Sequence, residues 1–457
     1  METTIAAIST AMSASGIGII RISGENAMDV ISRIYRSKGG KKKIKEVPTH
    51  TIHYGYIYDG EELIDEVLVM IMHAPRTFTG EDTVEIDCHG GVYAMQRVLD
   101  TVLKNGAEIA EPGEFTKRAF LNGRMDLSQA EAVMDVIQAK NEYALRSSMD
   151  RLRGSVQKAI RDIREKLIYH IAYIESALDD PEHISLDGYP QELLEVVDNE
   201  QKEVKRLLKT SSDGKMIQEG IQTVILGKPN AGKSSLLNLL IGENRAIVTD
   251  IAGTTRDILE EYITLHGISL KIIDTAGIRE TKDIVEKIGV DRAREMAQKA
   301  DLILYVVDSS VPLDENDEEI MEMLTGKKAI ILYNKTDLQP EIQPEILKEK
   351  TGHPVIPISA KEEKGITELE EQIKDMFFGG EIFFNDEVYI TNARHKAALE
   401  EADRSLDLVR NSIEMGMPED FFSIDLMNAY ENLGKILGES VGEDLVNEIF
   451  SKFCMGK

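Results

Sequence analysis

Cysteine is scarce in this chain of 457 residues: Cys88 and Cys454 are the only two. A disulfide framework is excluded as the source of stability, and a reducing compartment fits. Long apolar runs are also missing, and nothing approaches the roughly 20 residues a membrane-spanning helix needs. Met1-Glu2-Thr3-Thr4 has neither a basic region nor a continuous apolar core, which reads against a signal peptide. The expected location is cytoplasmic, with no membrane role. Basic residues are in the minority, 53 Lys and Arg against 81 Asp and Glu, for a net charge of −28. That balance disfavours nonspecific coating of nucleic acid, which needs clustered cations. A local basic face is not excluded, and two segments offer one. Arg36-Ser37-Lys38-Gly39-Gly40-Lys41-Lys42-Lys43-Ile44-Lys45 is a basic loop, and Arg151, Arg153, Lys158, Arg161, Arg164 and Lys166 crowd one helical segment. A solvated surface is the commoner meaning of such runs, with RNA contact as the other reading. The remaining composition, 42% hydrophobic and 29% charged, is that of a folded protein, long enough for about three domains.

What is present in strength is a phosphate loop. Gly227-Lys228-Pro229-Asn230-Ala231-Gly232-Lys233-Ser234 follows the apolar run Val224-Ile225-Leu226 and precedes Leu236-Leu237-Asn238-Leu239-Leu240. That is the strand–loop–helix context the motif requires. Its glycines let backbone N–H groups converge on an anion, and the helix N-terminus adds a favourable dipole. Lys233 is expected to reach the β- and γ-phosphates, Ser234 to ligate magnesium, and Ser235 to continue the cradle.

A phosphate loop alone indicates only a nucleotide. Asn334-Lys335-Thr336-Asp337 after the apolar run Ala329–Tyr333 specifies guanine. A carboxylate at Asp337 accepts from guanine N1–H and the exocyclic amine, whereas adenine would leave it unpaired. Ser359-Ala360-Lys361 resembles the loop that packs on guanine in GTPases. Asp274-Thr275-Ala276-Gly277 ends another apolar run as a second metal and γ-phosphate segment. Thr249-Asp250-Ile251-Ala252-Gly253-Thr254-Thr255 supplies the switch threonines, with Thr255 a second magnesium ligand. The expected ligands are GTP and GDP.

Residues 1–118 read as an α/β unit, with strand-like stretches at Ile17–Ile22 and Val67–Met72. From about Ala119 the period becomes helical: Ile160, Ile163, Leu167, Ile171, Ile174 and Leu178 form one apolar stripe. Residues 220–380 alternate strands (Thr223–Leu226, Ile258–Leu265, Ile268–Asp274, Leu302–Asp308, Ala329–Tyr333, Val355–Ile358) with helices, the pattern of a doubly wound sheet. Helices return around Ala397–Asn411, Ile424–Ile436 and Glu443–Phe453. The expected fold is α/β plus α. It has an N-terminal α/β domain at 1–118 and a helical domain in two parts, 119–219 and 381–457. A Ras-like GTPase domain at 220–380 is inserted between those parts.

More specific motifs lie outside the nucleotide domain: Ala14–Gly24, Thr79-Gly80-Glu81-Asp82-Thr83-Val84-Glu85-Ile86, His89-Gly90-Gly91, Pro112–Gly123 and the tail Phe453-Cys454-Met455-Gly456-Lys457. Through them the whole chain resembles the MnmE (TrmE) family of tRNA-modification GTPases. The resemblance implies a homodimer formed through the N-terminal domain and a flavoprotein partner, MnmG (GidA), in a heterotetrameric or larger complex. FAD resides only on that partner. Together they modify carbon 5 of the wobble uridine of certain tRNAs, using a one-carbon unit from 5-formyl- or 5,10-methylene-tetrahydrofolate. Arg21, Glu85, Arg124 and Lys457 match the folate-binding positions, and Cys454 matches a cysteine that can act in the chemistry. The alternative for Cys454 is a small apolar residue under a terminal helix. Cys88 beside His89 is at most a weak nucleophile candidate.

For hydrolysis, the position after Asp274–Gly277 is Ile278, whose aliphatic side chain cannot align water. The resemblance assigns that role to Glu280, beside Lys233 in the catalytic set. It also implies a potassium ion in place of an arginine finger, held by Asn230, Thr249, Ile251 and Thr254 when two GTPase domains dimerise. The nucleotide domain alone does not separate tRNA modification from regulation of ribosome or membrane-protein assembly. The N-terminal motifs and the tail favour the former.

Overall fold

The computed structural model describes residues 3–39, 43–243, 261–265, 267–273, 288–378, 388–439 and 441–456. The chain divides into two compact units, one of Met1–Ile137, Met149–Gln201 and Ala398–Lys457, the other of Gln138–Ser148 and Lys202–Ala397.

The first unit contains a seven-stranded sheet among the described residues. Its strands are β1 (Ile5–Ile8), β2 (Ile17–Ser23), β3 (Tyr35–Ser37), β4 (Thr51–Asp59), β5 (Glu62–Met72), β6 (Thr83–His89) and β7 (Glu108–Ile109). Their order is β3-β4-β5-β6-β2-β1-β7, antiparallel except where β1 pairs with β7. Alternate residues Ile20 and Ile22, Val67, Val69 and Ile71, and Val84 and Ile86 point into one core with Val30, Ile31, Val98 and Val102 of the helices Ala27–Ile34 and Val92–Lys104. A strand exposes its other set of side chains on the opposite face. There the register sets Arg21 directly across from Glu85.

Helices complete this unit. The helix Ser155–Asp179 packs against Glu419–Leu437 through Ile160, Ile163, Leu167, Ile171 and Ile174, all buried as the period predicts. The expected stripe fails at its end: Leu178 is 43% exposed and Ala177 is buried instead. The last step along the buried face is three residues, because the 3.6-residue turn precesses. The basic segment is not one helix either. Gly154, with φ +96°, separates Glu142–Leu152 from Ser155–Asp179. Arg151 is buried against Asp135 at 2.7 Å, Arg164 against Glu439 at 2.5 Å, and Lys166 meets the buried Glu200 at 2.6 Å. In the basic loop, Arg36, Lys43 and Lys45 pair with Glu61, Glu46 and Asp29, and Gly40, Lys41 and Lys42 lie outside the described residues.

The second unit holds a six-stranded sheet among the described residues: β8 (Ile221–Leu226), β9 (Glu261–Leu265), β10 (Ile268–Ile272), β11 (Leu302–Asp308), β12 (Ala329–Asn334) and β13 (Val355–Pro357), in the order β13-β12-β11-β8-β10-β9. All neighbours are parallel except β9 with β10. Both faces are covered, so the central strand β11 is apolar on both sides up to its last residue, Asp308. Leu302, Leu304 and Val306 belong to one core and Ile303, Tyr305 and Val307 to the other, as parallel sheets require. The chain leaves β8 toward one edge and later returns to β11 on its other side. The C-terminal end of β8 is therefore the switch point where doubly wound sheets bind ligands. No helix among the described residues is long and apolar enough to cross a membrane.

Arg118 anchors the first unit. Its side chain is 1% exposed and meets Glu114 at 2.8 Å, Glu81 at 3.2 Å and the Thr3 carbonyl at 2.7 Å. Removing one partner of a buried ion pair leaves uncompensated charge. Arg118→Met is expected to destabilise this unit by about 3 kcal/mol or more, read as a lower urea midpoint of its unfolding transition by circular dichroism. An unshifted midpoint would show that the two carboxylates do not depend on it.

Candidate functional site: a guanine-nucleotide cradle and a second polar cluster

The phosphate loop runs from the end of β8 into the helix Lys233–Glu243. Two glycines are required by geometry. Gly227 has φ +148°, and a Cβ there would strike the Val306 carbonyl. Gly232 has φ +103°, and a Cβ there would strike the Asn334 amide. Between them Asn230 takes φ +61° despite its side chain, a conformation that costs energy and clusters at binding sites. Lys233 Nζ donates to the carbonyls of Gly227 at 2.6 Å and Lys228 at 2.7 Å. Burial lowers its pKa from the usual lysine value. Ser234 and Ser235 follow at the helix N-terminus, whose dipole favours an anion.

Asn334, the last residue of β12, is buried and joins two loops. Its amide nitrogen donates to the Ala231 carbonyl at 2.8 Å, and its amide oxygen accepts from Ala360 N–H at 3.2 Å. Lys335 has φ +65°, and its ammonium lies 2.5 Å from Asp308. Burial opposes the charged form of Asp308, but Lys335 and Ser310 outweigh it and hold the carboxyl below its ordinary value. Ser359 Oγ donates to Asp337 Oδ1 at 2.9 Å. Lys361 stands 4.0 Å from Asp337 and is exposed. The structure thus brings Asn230, Ala231, Gly232, Lys233, Asn334, Lys335, Asp337, Ser359, Ala360 and Lys361 to the C-terminal ends of β8, β12 and β13. Such a cradle offers donors for phosphates at one end and an oriented carboxylate for a base at the other. Thr249, Asp250, Ile251, Ala252, Gly253, Thr254, Thr255, Asp274, Thr275, Ala276, Gly277 and Glu280 lie outside the described residues.

Sequence reasoning missed the support beneath the loop. Lys228 reaches Asp317 at 2.6 Å and Asp314 at 3.0 Å. Burial opposes its charge, and the hydrogen bonds and charges of Asp317 and Asp314 outweigh that and raise its pKa. The available signal was Asp314-Glu315-Asn316-Asp317, a reciprocal cap on the helix Glu315–Met323.

On the other face of the first sheet, Arg21 Nε and Nη2 both reach Glu85 Oε1, at 2.8 and 2.7 Å. Arg21 Nη1 donates to the Gly456 carbonyl at 3.1 Å. The Arg21 and Arg124 guanidinium groups lie 5.7 and 5.4 Å from the centre of the Phe78 ring. Burial, then Glu85, raises the Asp87 carboxyl on the same strand. Arg21, Glu85 and Arg124 are therefore one cluster, and Phe78 is a member that carried no sequence signal. Lys457 lies outside the described residues. Cys454 is exposed rather than covered by the terminal helix. Cys88 is buried, its thiol pushed up to about 12 by burial, so the nucleophile reading of Cys88 and His89 fails.

Residues 4–124 match the model of the GTP-binding protein TrmE N-terminus, and residues 127–454 match that of the MnmE helical domain. The tRNA modification GTPase MnmE of Lachnoclostridium phytofermentans is 60% identical over 454 residues, covering 99% of each chain. Proteins of the same name from Geobacillus thermodenitrificans and Bacillus subtilis are 50% and 46% identical over 458 residues, covering 99% of this chain and 99% and 100% of theirs. Among solved structures, the G domain of the T. maritima FeoB iron transporter is 30% identical. It covers 34% of this chain and 97% of that one, at a TM-score of 0.26. With an N-terminal α/β domain, helices and a doubly wound nucleotide domain in one chain, and relatives matched from end to end, this chain belongs to the MnmE (TrmE) family of tRNA modification GTPases.

Proposed function

We propose that this GTP hydrolase works with the flavoprotein MnmG (GidA) to add a carboxymethylaminomethyl or aminomethyl group to carbon 5 of the wobble uridine of certain tRNAs. The observation that carries the reading is end-to-end similarity to relatives named tRNA modification GTPase MnmE. The proposed domains are a dimerising, folate-binding domain at 1–118, a helical domain at 119–219 and 381–457, and a GTPase domain at 220–380.

In the nucleotide cradle, the backbone N–H groups of Asn230–Ser235 and the Lys233 ammonium hold the phosphates. Asp337, oriented by Ser359, accepts from the guanine edge. Ser234 and Thr255 would hold magnesium. Asn230, Thr249, Ile251 and Thr254 would hold potassium when two GTPase domains meet. Bound magnesium and potassium offset charge on the phosphate oxygens. Glu280 orients the attacking water, a role Ile278 cannot fill. GDP leaves the same cradle.

The cluster around Phe78 fits a reduced folate. A carboxylate such as Glu85 matches the donor pair of a pterin, and the guanidinium groups of Arg21 and Arg124, with Lys457, match the glutamate tail. The bound folate supplies a one-carbon unit, while the chain's own residues bind and orient it. Cys454, exposed and two residues before the Gly456 carbonyl that Arg21 binds, is available to the modification chemistry. FAD belongs to the partner, and the homodimer forms through the N-terminal domain at 1–118.

Steady-state GTP hydrolysis in potassium chloride is expected to exceed that in sodium chloride at matched ionic strength. Asn230→Ala should lose the stimulation and keep nucleotide binding. Equal rates in the two salts, or a fully stimulated variant, would remove Asn230 as a cation ligand. Glu280→Ala is expected to bind GTP normally and turn it over about 100-fold more slowly, and wild-type turnover would discharge Glu280 from the mechanism. A reduced folate should raise the melting temperature of the wild type and leave that of Glu85→Gln unmoved. A shift of equal size in both would place the folate elsewhere.

A further inference from the structure

We propose that Lys228 is a positioning residue of the GTPase reaction, its side chain clamped by Asp314 and Asp317 so that its backbone holds the turn of the phosphate loop. The inference rests on the GTPase assignment and not on potassium or folate.

The clamp is rigid on its acidic side. Asp317 is 1% exposed. One of its oxygens accepts from the Tyr305 hydroxyl at 2.7 Å, and the other accepts from Asp314 N–H at 3.0 Å. Tyr305 lies in β11, fully buried in the sheet. Asp314 in turn accepts from the N–H groups of Asn316 and Asp317 at the head of the helix Glu315–Met323. The two carboxylates are thus fixed to both a central strand and a helix before they meet Lys228.

The other end of Lys228 is the working part of the loop. Its carbonyl accepts from Ala231 N–H at 3.3 Å, which closes the turn containing Asn230, and from Lys233 Nζ at 2.7 Å. Pro229 follows directly and restricts the backbone further. Holding the Lys228 side chain therefore places a carbonyl that closes the turn and, with that of Gly227, receives the Lys233 ammonium. A buried ion pair adds little net stability over an apolar replacement, so its value here is placement. The ammonium of Lys228 is occupied by the two carboxylates, so the residue acts through the loop and not by touching phosphate.

The phosphate loop serves substrate and transition state alike, and loss of its placement should appear in binding and not in turnover. In the full-length chain, Lys228→Met is expected to raise both the KM for GTP and the Kd for GDP about tenfold, with kcat at saturating GTP within about twofold. Lys228→Arg, which can still bridge two carboxylates, should restore most of the affinity. Asp317→Asn should give the same rise on its own, and so keeps the question open to test if Lys228→Met does not fold. The double variant should lose no more than the worse single one. The melting temperature of each nucleotide-free variant separates a general loss of stability from a loss of placement. An unchanged KM in folded Lys228→Met overturns the proposal. So does a fall in kcat at constant KM, or additive losses in the double variant.

Discussion

One buried side-chain amide holds the nucleotide cradle to its dimensions. Asn334 spans from the phosphate loop at Ala231 to the base-side loop at Ala360, with donor and acceptor both engaged. Buried polar groups are costly when orphaned. The two loops therefore cannot drift apart without leaving an amide group unpaired in the core. Other constraints follow from this brace. Position 232 must lack a Cβ because the Asn334 amide occupies that space. Lys335 must turn through a left-handed conformation immediately after the strand, which brings Asp337 within reach of Ser359. Backbone strain at Asn230 and Lys335 sits on either side of the brace, where surrounding hydrogen bonds over-determine the chain.

The strands of the second unit were legible to within a residue or two where both faces are buried. Leu302–Asp308 is recovered as β11, and Ala329–Asn334 extends the expected Ala329–Tyr333 by one. Continuous apolar runs flanked by turn residues carry that signal. The first sheet was less legible because its strands face water on one side. Val67–Met72 was read as a strand, but β5 begins at Glu62, since the charges of Glu62, Asp65 and Glu66 interrupt the apolar run. β3 and β7, of three and two residues, are too short to show a period. At the site, residues in contiguous motifs were found because the motif is itself the local geometry. Phe78, Asp308 and Asp317 were not, since each matters through a partner far along the chain. No local period encodes such pairings.

The basic segments changed meaning once their neighbours were known. Arg151, Arg164 and Lys166 are spent on holding helices together, two of them buried. Arg36, Lys43 and Lys45 have acidic partners. A guanidinium enclosed by a carboxylate offers no counterion release to an RNA phosphate. Of the same helical segment, Arg153, Lys158 and Arg161 are exposed, and Lys41 and Lys42 of the loop lie outside the described residues. The proposed action on tRNA therefore draws its support from the family and from the folate-compatible cluster, and not from a polyanion-binding face.

That cluster is built from the two ends of the chain. Arg21 comes from β2, Glu85 from β6, and the carbonyl of Gly456 from the C-terminal tail, which Ser9 also binds at 3.1 Å. The guanidinium has a fixed number of donors, and Arg21 divides them between a carboxylate and a backbone carbonyl. An anionic ligand that recruits Arg21 must share those donors or displace the tail from them. Cys454 lies two residues before the contested carbonyl. The proposed anion site and the placement of the tail that carries Cys454 therefore depend on one side chain, Arg21.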